Sequence, residues 1–267
     1  MKVTNLQLNG TNTGLGSQLF KIASTIAIAC QNDSEFVFPF WETFNHFKNP
    51  IPMFTTIDHR EVYNKVEEGI YSYVIFKDYE KMASIINLVG NFQSHKYFDR
   101  YSDKIKTYLQ PKETIEYFLK DKYKQFINKD ACCAIHVNID NATNDGKKER
   151  LTKADYYDGA MQLMKNINKL ENMVFFVFSD KIEIAKTIFG TEKVDIYYVH
   201  ELNHVFDFFL MSMFKNIIIS NSSFAWWAAY LSEYRTKKVV APATWYDTKY
   251  SKINPKKDIY PDGWRVI

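Results

Sequence analysis

The pattern of apolar and polar positions changes at about residue 131 of the 267-residue chain. Before that point, residues 3–8 alternate as a strand does, and residues 18–30 form an apolar run typical of a helix, with turn-forming residues between them. Residues 36–108 are irregular and rich in aromatic side chains. The chain is therefore predicted to begin with a strand, a loop and a helix.

A regular alternation of short apolar runs and helical patterns follows an amphipathic, predicted helical stretch at residues 111–130. The predicted strands are residues 131–137, 173–178, 195–199, 217–220 and 237–241, and the predicted helices are residues 153–166, 182–189, 204–214 and 224–232. Apolar strands separated by helices are typical of a parallel sheet covered on both faces. We therefore predict an α/β protein, with an N-terminal domain at residues 1–125 and a C-terminal Rossmann-like domain at residues 126–267.

Composition and charge exclude several classes of protein. With 46% hydrophobic and 24% charged residues the chain is expected to fold, and its net charge of +3 is too small to indicate a nucleic-acid partner. No apolar stretch reaches the roughly 18 residues of a membrane span, and the N-terminus lacks the apolar core of a signal peptide. Three cysteines without metal-ligand spacing favour a reducing compartment and no metal site. We expect a cytoplasmic protein without a transmembrane segment, and the sequence does not indicate its oligomeric state.

Polar side chains follow four of the predicted strands, at the edge where a parallel sheet binds its ligands. They are His136, Ser179 with Asp180, His200 with Glu201, and the run from Ser220 to Ser223. A single histidine or aspartate in such a place is either a ligand-binding residue or a hydrogen-bonded structural one. Both interpretations stay open for His136 and for Asp180.

The run Asn221-Ser222-Ser223 ends a predicted strand and begins a helix. Backbone N–H groups and hydroxyls at a helix N-terminus bind anions such as phosphate, but Asn and Ser are also the usual N-cap residues. The run therefore predicts either a phosphate site or a simple helix cap. Trp226 and Trp227 follow on the same helix, and because adjacent helical residues point in different directions, one of them is expected to line a cleft.

Glycines at positions 10, 14 and 16 lie between the first strand and the first helix. The loop is similar to a phosphate-binding loop, yet it fits neither the dinucleotide-binding fingerprint nor the Walker pattern. Its glycines serve either a ligand that approaches the backbone or a tight turn with close helix packing.

Five segments, taken in order, resemble glycosyltransferase family 11, the α-1,2-fucosyltransferases. They are residues 14–23, 91–98, 155–157, 175–180 and 207–231. The first is similar to the family's G-L-G-N-Q-L-F, with Ser17 in place of the asparagine, and the second to its F-Q-S-E-K-Y-F. The last is close to D-L-Y-L-M-S followed by N-S-S-F-S-W-W-x-A-W-L, and it is the strongest of the five.

The resemblance implies a GT-B-like architecture of two facing Rossmann-like domains with a central cleft. It implies a metal-independent, inverting glycosyltransferase that transfers L-fucose from GDP-fucose to a hydroxyl of an acceptor glycan. The partners are then a nucleotide-sugar donor and a glycan acceptor, and no cofactor is needed. The implied donor-binding residues are Asn138, Asp180, Asn221, Ser222, Ser223 and Phe224, and the implied acceptor-side residues are Gly14, Gly16, Ser17, Gln18, Gln93 and Trp226.

The chain departs from the family pattern H-x-R-R-G-D, because Asn138 stands where the first arginine would be. A guanidinium offers a diphosphate bidentate, charge-assisted hydrogen bonds, whereas an amide offers only neutral donors. Three interpretations are open: Lys147, Lys148 or Arg150 in the next predicted loop supplies the charge, the pocket takes another nucleotide sugar, or the protein binds a sugar nucleotide or glycan without turnover. His136 and Asp140 are the candidates for a catalytic role in removing the acceptor proton.

Overall fold

A computed structural model describes residues 1–9, 14–55, 85–138, 154–190, 195–199, 203–245 and 258–267, together with the backbone of a strand at residues 62–67. The chain divides into two compact units, Met1–Lys112 with Lys252–Pro261, and Glu113–Ser251 with Asp262–Ile267. Each unit has a parallel sheet of its own.

The first unit is built on a four-stranded sheet. Its elements are β1 (Lys2–Thr4), α1 (Leu15–Gln31), β2 (Glu35–Phe36), β3 (Val62–Glu67), β4 (Ile85–Val89) and α2 (Ser102–Tyr108). The strand order is β2-β1-β4-β3, and all pairs are parallel. Strand β1 is shorter than the predicted run of residues 3–8, because the Oδ1 atom of Asn5 accepts a hydrogen bond from the backbone N–H of Gln7 at 3.1 Å and turns the chain.

The second unit is built on a six-stranded sheet. Its elements are α3 (Glu113–Tyr123), β5 (Cys132–Val137), α4 (Ala154–Asn168), β6 (Val174–Ser179), α5 (Ile182–Phe189), β7 (Ile196–Tyr198), α6 (His204–Ser212), β8 (Asn216–Ile218), α7 (Ser223–Leu231), β9 (Lys238–Ala241) and β10 (Arg265–Val266). The strand order is β10-β9-β8-β5-β6-β7, again parallel throughout. The predicted alternation of strands and helices is confirmed.

Helices cover both faces of this sheet, as the apolar strands predict. All six residues of β5 are buried. On one face Ile135 belongs to the same core as Tyr157 of α4, and on the other face Phe176 and Phe178 of β6 lie against Phe214, which follows α6. Since both faces are packed, the polar residues at the strand ends lie at the edge of a well-supported scaffold.

The two compact units divide after Lys112, whereas the sequence places the boundary after residue 125. The difference is α3, which packs on α6: the ring of Phe118 lies 5.8 Å from that of Phe206 in an edge-on contact. Helix α3 therefore belongs with the second unit. The assignment of acceptor and donor roles to the two parts of the chain stays a prediction.

The three cysteines are free thiols in two different environments. Cys132 and Cys133 begin β5 and are buried, and this burial raises the pKa of both thiols. Cys30 near the end of α1 is half-buried, and its Sγ atom accepts a hydrogen bond from Nζ of Lys104 at 3.2 Å.

Candidate functional site

A pocket of about 500 Å³ opens at the carboxyl edge of the six-stranded sheet. Residues at the ends of β5 and β6 and at the beginnings of α6 and α7 surround it: His136, Asn138, Phe178, Ser179, Asp180, Asn203, His204, Asp207, Ser222 and Phe224. All of them belong to the second unit. This is the edge at which open parallel sheets bind their ligands.

His136 is held at the end of β5 by neighbours on two elements. Its Nδ1 atom lies 2.8 Å from Oγ of Ser220, which follows β8. Its ring lies 5.3 Å from the ring of Phe224 in α7. Burial lowers the pKa of His136 to about 3, so the imidazole is neutral at physiological pH.

The beginnings of α6 and α7 differ in their capping. Asn203 caps α6, because its Oδ1 atom accepts hydrogen bonds from the backbone N–H groups of Val205 at 2.9 Å and Phe206 at 3.2 Å. Ser222 occupies the same position before α7, but its hydroxyl makes no capping hydrogen bond to the described residues of that helix. The helix-cap interpretation therefore does not hold for the Ser222 side chain, which lines the pocket instead.

Asn221 and Ser223 do not line the pocket in the part of the chain that the structure describes. Asn221 is buried, and its Nδ2 atom donates a hydrogen bond to the carbonyl oxygen of Trp245 at 3.4 Å. Asn221 thus ties the turn after β8 to the segment after β9. Of the donor-binding residues expected from the sequence, the pocket brings together Asn138, Asp180, Ser222 and Phe224, along with His136.

The described lining carries two carboxylates, Asp180 and Asp207, and neither lysine nor arginine. Lys147, Arg150 and Asp140, which the sequence singled out for charge and catalysis, lie outside the described residues. In the sequence these three residues follow Asn138 within twelve positions.

Four residues of the lining were not anticipated as ligand contacts: Phe178, Asn203, His204 and Asp207. Three of these belong to the first turn of α6 or to its cap. An asparagine directly before an apolar helical run is an N-cap signature, and it would have indicated where this helix begins. The sequence does not indicate that α6 begins beside His136, because this placement depends on the order of the strands.

The acceptor-side residues expected near the N-terminus lie around the beginning of α1. Gly14 is the N-cap residue of α1, Gly16 is buried, and Ser17 is half-buried. Gln18 donates from Nε2 to the carbonyl oxygen of Leu8 at 3.2 Å. This hydrogen bond gives Gln18 a structural part in fixing the turn after β1.

Two further expected residues have distinct surroundings. Gln93 is half-buried and follows Phe92, whose φ of 53° lies in the left-handed region that a side chain with a Cβ rarely adopts. Trp226 and Trp227 are both fully buried, and Trp226 stacks on Tyr230 with 5.0 Å between ring centroids. The expectation that one tryptophan lines a cleft is corrected, since residues 225–231 of α7 are all buried.

Two kinds of feature are absent from the residues that the structure describes. Within the described ranges no group of three or more His, Cys, Asp or Glu side chains is arranged to hold a metal ion. No helix in that part of the chain combines the length and the apolarity of a membrane span.

The chain is similar to two curated proteins of Escherichia coli. It is 28% identical over 192 residues to an alpha-1,2-colitosyltransferase, an alignment that covers 68% of this chain and 63% of the relative. It is 27% identical over 223 residues to the O-antigen biosynthesis glycosyltransferase WbnK, covering 74% of this chain and 71% of that protein. The chain thus spans less than two thirds of the length of the first relative.

Solved fucosyltransferase structures share the fold at low sequence identity. The alpha-1,6-fucosyltransferase NodZ, soaked with GDP-fucose, superposes with a TM-score of 0.53 at 14% identity, covering 86% of this chain and 92% of NodZ. POFUT1 in complex with GDP superposes with a TM-score of 0.54 at 10% identity, covering 90% of this chain and 97% of POFUT1. These likenesses confirm the predicted GT-B-like α/β fold. Residues 11–267 match the sequence profile of glycosyl transferase family 11, and the chain therefore belongs to glycosyltransferase family 11.

Proposed function

We propose that the protein is a metal-independent, inverting glycosyltransferase that transfers L-fucose from GDP-fucose to a hydroxyl of an acceptor glycan. The observation that carries the proposal is the pocket at the carboxyl edge of the parallel sheet, where His136, Asn138, Asp180 and Ser222 meet. Membership of glycosyltransferase family 11 supplies the reaction class. The solved neighbours NodZ and POFUT1 bind GDP-fucose and GDP respectively, which favours a guanosine nucleotide.

The diphosphate of the donor is proposed to bind at the N-terminus of α7. The first N–H groups of a helix have no partner within the helix, and the helix dipole favours an anion there. Helix α7 begins at Ser223, and the hydroxyl of Ser222 is not used as a cap. Ser222 and the backbone N–H groups that follow it can therefore donate to phosphate oxygens.

The nucleoside is proposed to bind beside Asp180 and Asn138. Asp180 is exposed at the end of β6 and lines the pocket, and its Oδ1 atom also accepts a hydrogen bond from Oγ of Ser179 at 3.5 Å. A guanine base offers two neighbouring N–H donors and a ribose offers hydroxyls, and a carboxylate accepts from either. The side-chain amide of Asn138 supplies both a donor and an acceptor.

The missing arginine at position 138 leaves the charge of the diphosphate to be balanced elsewhere. We assign this part to Lys147 and Arg150, since they follow Asn138 closely in the sequence and the described lining holds neither lysine nor arginine. A cation near the leaving diphosphate stabilises the charge that develops as the sugar departs.

Removal of the acceptor proton is proposed to depend on Asp140. A general base works best when its pKa lies near the operating pH, and burial lowers the pKa of His136 to about 3. Since the neutral ring of His136 takes up a proton poorly at neutral pH, we assign this part to Asp140, the other residue singled out for catalysis. His136 keeps a part in binding the donor.

The name of one relative indicates colitose as a second candidate for the donor sugar. The alpha-1,2-colitosyltransferase of Escherichia coli transfers colitose by its name, and it is 28% identical to this chain. Colitose is a fucose that lacks one hydroxyl, so a pocket that hydrogen-bonds this hydroxyl discriminates between the two sugars, and one that does not accepts both.

The proposed function is tested first by calorimetric titration with GDP, UDP and dTDP. We expect GDP to bind and the other two to bind more weakly; absence of binding for all three contradicts the donor site. Transfer is then measured by mass spectrometry with GDP-fucose and with a colitosyl nucleotide, on a panel of oligosaccharides, with and without EDTA. Product that persists in EDTA supports the proposal. Nucleotide binding without transfer from either donor identifies a non-catalytic relative instead.

A further inference from the structure

His136 and Ser220 connect two neighbouring strands at the edge of the pocket. Strands β5 and β8 are adjacent and parallel, and Ile135 is paired with Ile218. His136 follows Ile135 directly and Ser220 lies two residues beyond Ile218, so the chain carries both side chains to the same end of the sheet. Nδ1 and Oγ are 2.8 Å apart, with 8% of His136 and none of Ser220 exposed.

The direction of this hydrogen bond follows from the needs of the buried hydroxyl. A serine hydroxyl has one proton to donate and lone pairs to accept, and a neutral imidazole has one nitrogen of each kind. If Nδ1 donated, the buried Ser220 proton would need another acceptor, and among the described residues its side chain bonds to His136 alone. A buried donor without an acceptor is costly, whereas a spare lone pair is tolerated.

We propose that Ser220 is a positioning residue, whose hydroxyl donates to Nδ1 of His136 and holds the imidazole in the tautomer that carries its proton on Nε2. The second ring nitrogen is then a hydrogen-bond donor for a nucleotide acceptor atom, either a phosphate oxygen or an acceptor of the base. The identity of this ligand rests on the proposed function, while the tautomer does not.

The tautomer decides what His136 does in the pocket. Its pKa of about 3 keeps the ring neutral, so it brings neither positive charge nor a second N–H group. With Nδ1 accepting from Ser220 and Nε2 protonated, no ring lone pair is left to take a proton from the acceptor sugar. His136 therefore binds the donor substrate and does not act as the base.

Helix α4 fixes the backbone of both members of the pair. The hydroxyl of Tyr157 donates to the carbonyl oxygen of His136 at 3.3 Å. The hydroxyl of Tyr156 donates to the carbonyl oxygen of Ile219, the residue before Ser220, at 2.6 Å. Two adjacent tyrosines of one helix thus hold the ends of the two strands at a constant separation, which keeps the hydrogen bond short.

The tautomer is measured directly by long-range proton–nitrogen NMR correlation on the intact protein labelled with ring-¹⁵N histidine. The chain has six histidines, and the His136 signals are assigned by their loss in His136→Asn. We expect a protonated Nε2 and an unprotonated, hydrogen-bonded Nδ1 at neutral pH. A protonated Nδ1 in the wild type overturns the proposal, and this result does not depend on whether any nucleotide binds.

Ser220→Ala tests the effect on binding, with Ser232→Ala as the matched control. Ser232 is also a buried serine of the second unit, and its hydroxyl donates to the carbonyl oxygen of Phe214 at 2.9 Å, away from the pocket lining. We expect both variants to lower the unfolding midpoint. Ser220→Ala alone is expected to populate the Nδ1–H tautomer and to weaken GDP binding about tenfold, the effect of one binding hydrogen bond.

Unchanged tautomer and unchanged GDP affinity in Ser220→Ala contradict the positioning role. Equal loss of GDP affinity in Ser220→Ala and Ser232→Ala also contradicts it, because that result reflects general destabilisation. If the wild type binds no GDP, the proposed function fails while the NMR measurement still decides the tautomer.

Discussion

The hydroxyl oxygen of Tyr156 lies 2.6 Å from the carbonyl oxygen of Ile219, and the same hydroxyl lies 3.3 Å from the carbonyl oxygen of Val240. One side chain of α4 thus ties together the ends of β8 and β9. Tyr156→Phe removes both contacts of this hydroxyl and keeps the aromatic ring. We expect a loss of about 1 kcal/mol in the free energy of unfolding, measured by urea denaturation.

Tyr198→Phe is the matched control for that change. The Tyr198 hydroxyl donates to the carbonyl oxygen of Gly190 at 2.5 Å, but this hydrogen bond is exposed, so water replaces it at little cost. An equal loss of unfolding free energy in both variants would contradict the proposal that the Tyr156 hydroxyl stabilises the ends of β8 and β9.

The caps of α6 and α7 predict opposite effects for two similar substitutions. Asn203→Ala removes two hydrogen bonds to the first turn of α6 and is expected to cost about 1 kcal/mol of stability. Ser222→Ala removes no described capping bond, so it is expected to leave the unfolding free energy nearly unchanged and to weaken GDP binding. Thermal unfolding and calorimetric titration separate the two. A stability loss in Ser222→Ala as large as that in Asn203→Ala would restore the helix-cap interpretation.

Burial of His136 predicts that the protein loses stability as the pH falls. Burial lowers the pKa of His136 from 6.5 to about 3, so between these values the unfolded chain binds a proton that the folded chain does not. Stability therefore rises with pH through this window and is lost on acidification, by about 2 kcal/mol between pH 7 and pH 5 for this one group.

His136→Asn is expected to flatten this pH dependence, which urea denaturation at a series of pH values measures. His204→Asn is the control, because His204 also lines the pocket but is exposed. The same pH slope in His136→Asn and in the wild type would show that His136 is not the group responsible.

Lys237 contacts the C-terminal end of α7, and we expect this contact to stabilise the fold. Its Nζ atom donates to the carbonyl oxygens of Ala229 at 2.9 Å, Tyr230 at 2.8 Å and Ser232 at 2.9 Å. These carbonyls lie in the last turn of the helix and beyond it, where a cation also interacts well with the helix dipole. Lys237→Met is expected to cost about 1 to 2 kcal/mol of unfolding free energy.

The control for Lys237 is Lys124→Met. Lys124 forms an exposed ion pair with Asp121 at 3.1 Å, and exposed pairs contribute little. If thermal unfolding gives the same midpoint for both variants, the lysine after α7 does not act as a cap.

Lys147 and Arg150 are expected to carry the charge of the missing arginine. Lys147→Ala and Arg150→Ala should each weaken GDP binding by about 1 to 3 kcal/mol if the side chains contact phosphate, and Lys124→Ala should not. Titration at several salt concentrations provides a second measure, since the loss of a phosphate contact makes binding less dependent on salt. Unchanged GDP affinity in both variants would contradict a phosphate contact by Lys147 and Arg150.

The sheet of the second unit was predictable because a buried parallel strand appears in the sequence as a continuous apolar run. Strand β5 is the clearest case, with every side chain buried. Strand β10 was missed, because Arg265 and Val266 are exposed and form no apolar run. The predicted first strand was too long, since the side chain of Asn5 turns the backbone where the alternation continues in the sequence.

The pocket was only partly predictable for a related reason. His136, Asp180 and Ser222 directly follow apolar strands, so sequence position alone indicates their edge of the sheet. His204 and Asp207 reach the same pocket from a helix, and only the strand order brings that helix beside β5. Trp226 was predicted wrongly, because residues 225–231 of α7 are all buried and both adjacent tryptophans lie among them.

The positions of the three cysteines also allow local unfolding to be followed by chemical modification of the thiols. A thiol reagent needs an accessible thiolate, so in the native state it should modify Cys30 and spare Cys132 and Cys133, which are buried with raised pKa values. The rate at which Cys132 and Cys133 are modified then measures how often β5, the strand that carries His136, opens. Slower modification in the presence of a nucleotide would therefore measure ligand binding without any label added to the chain.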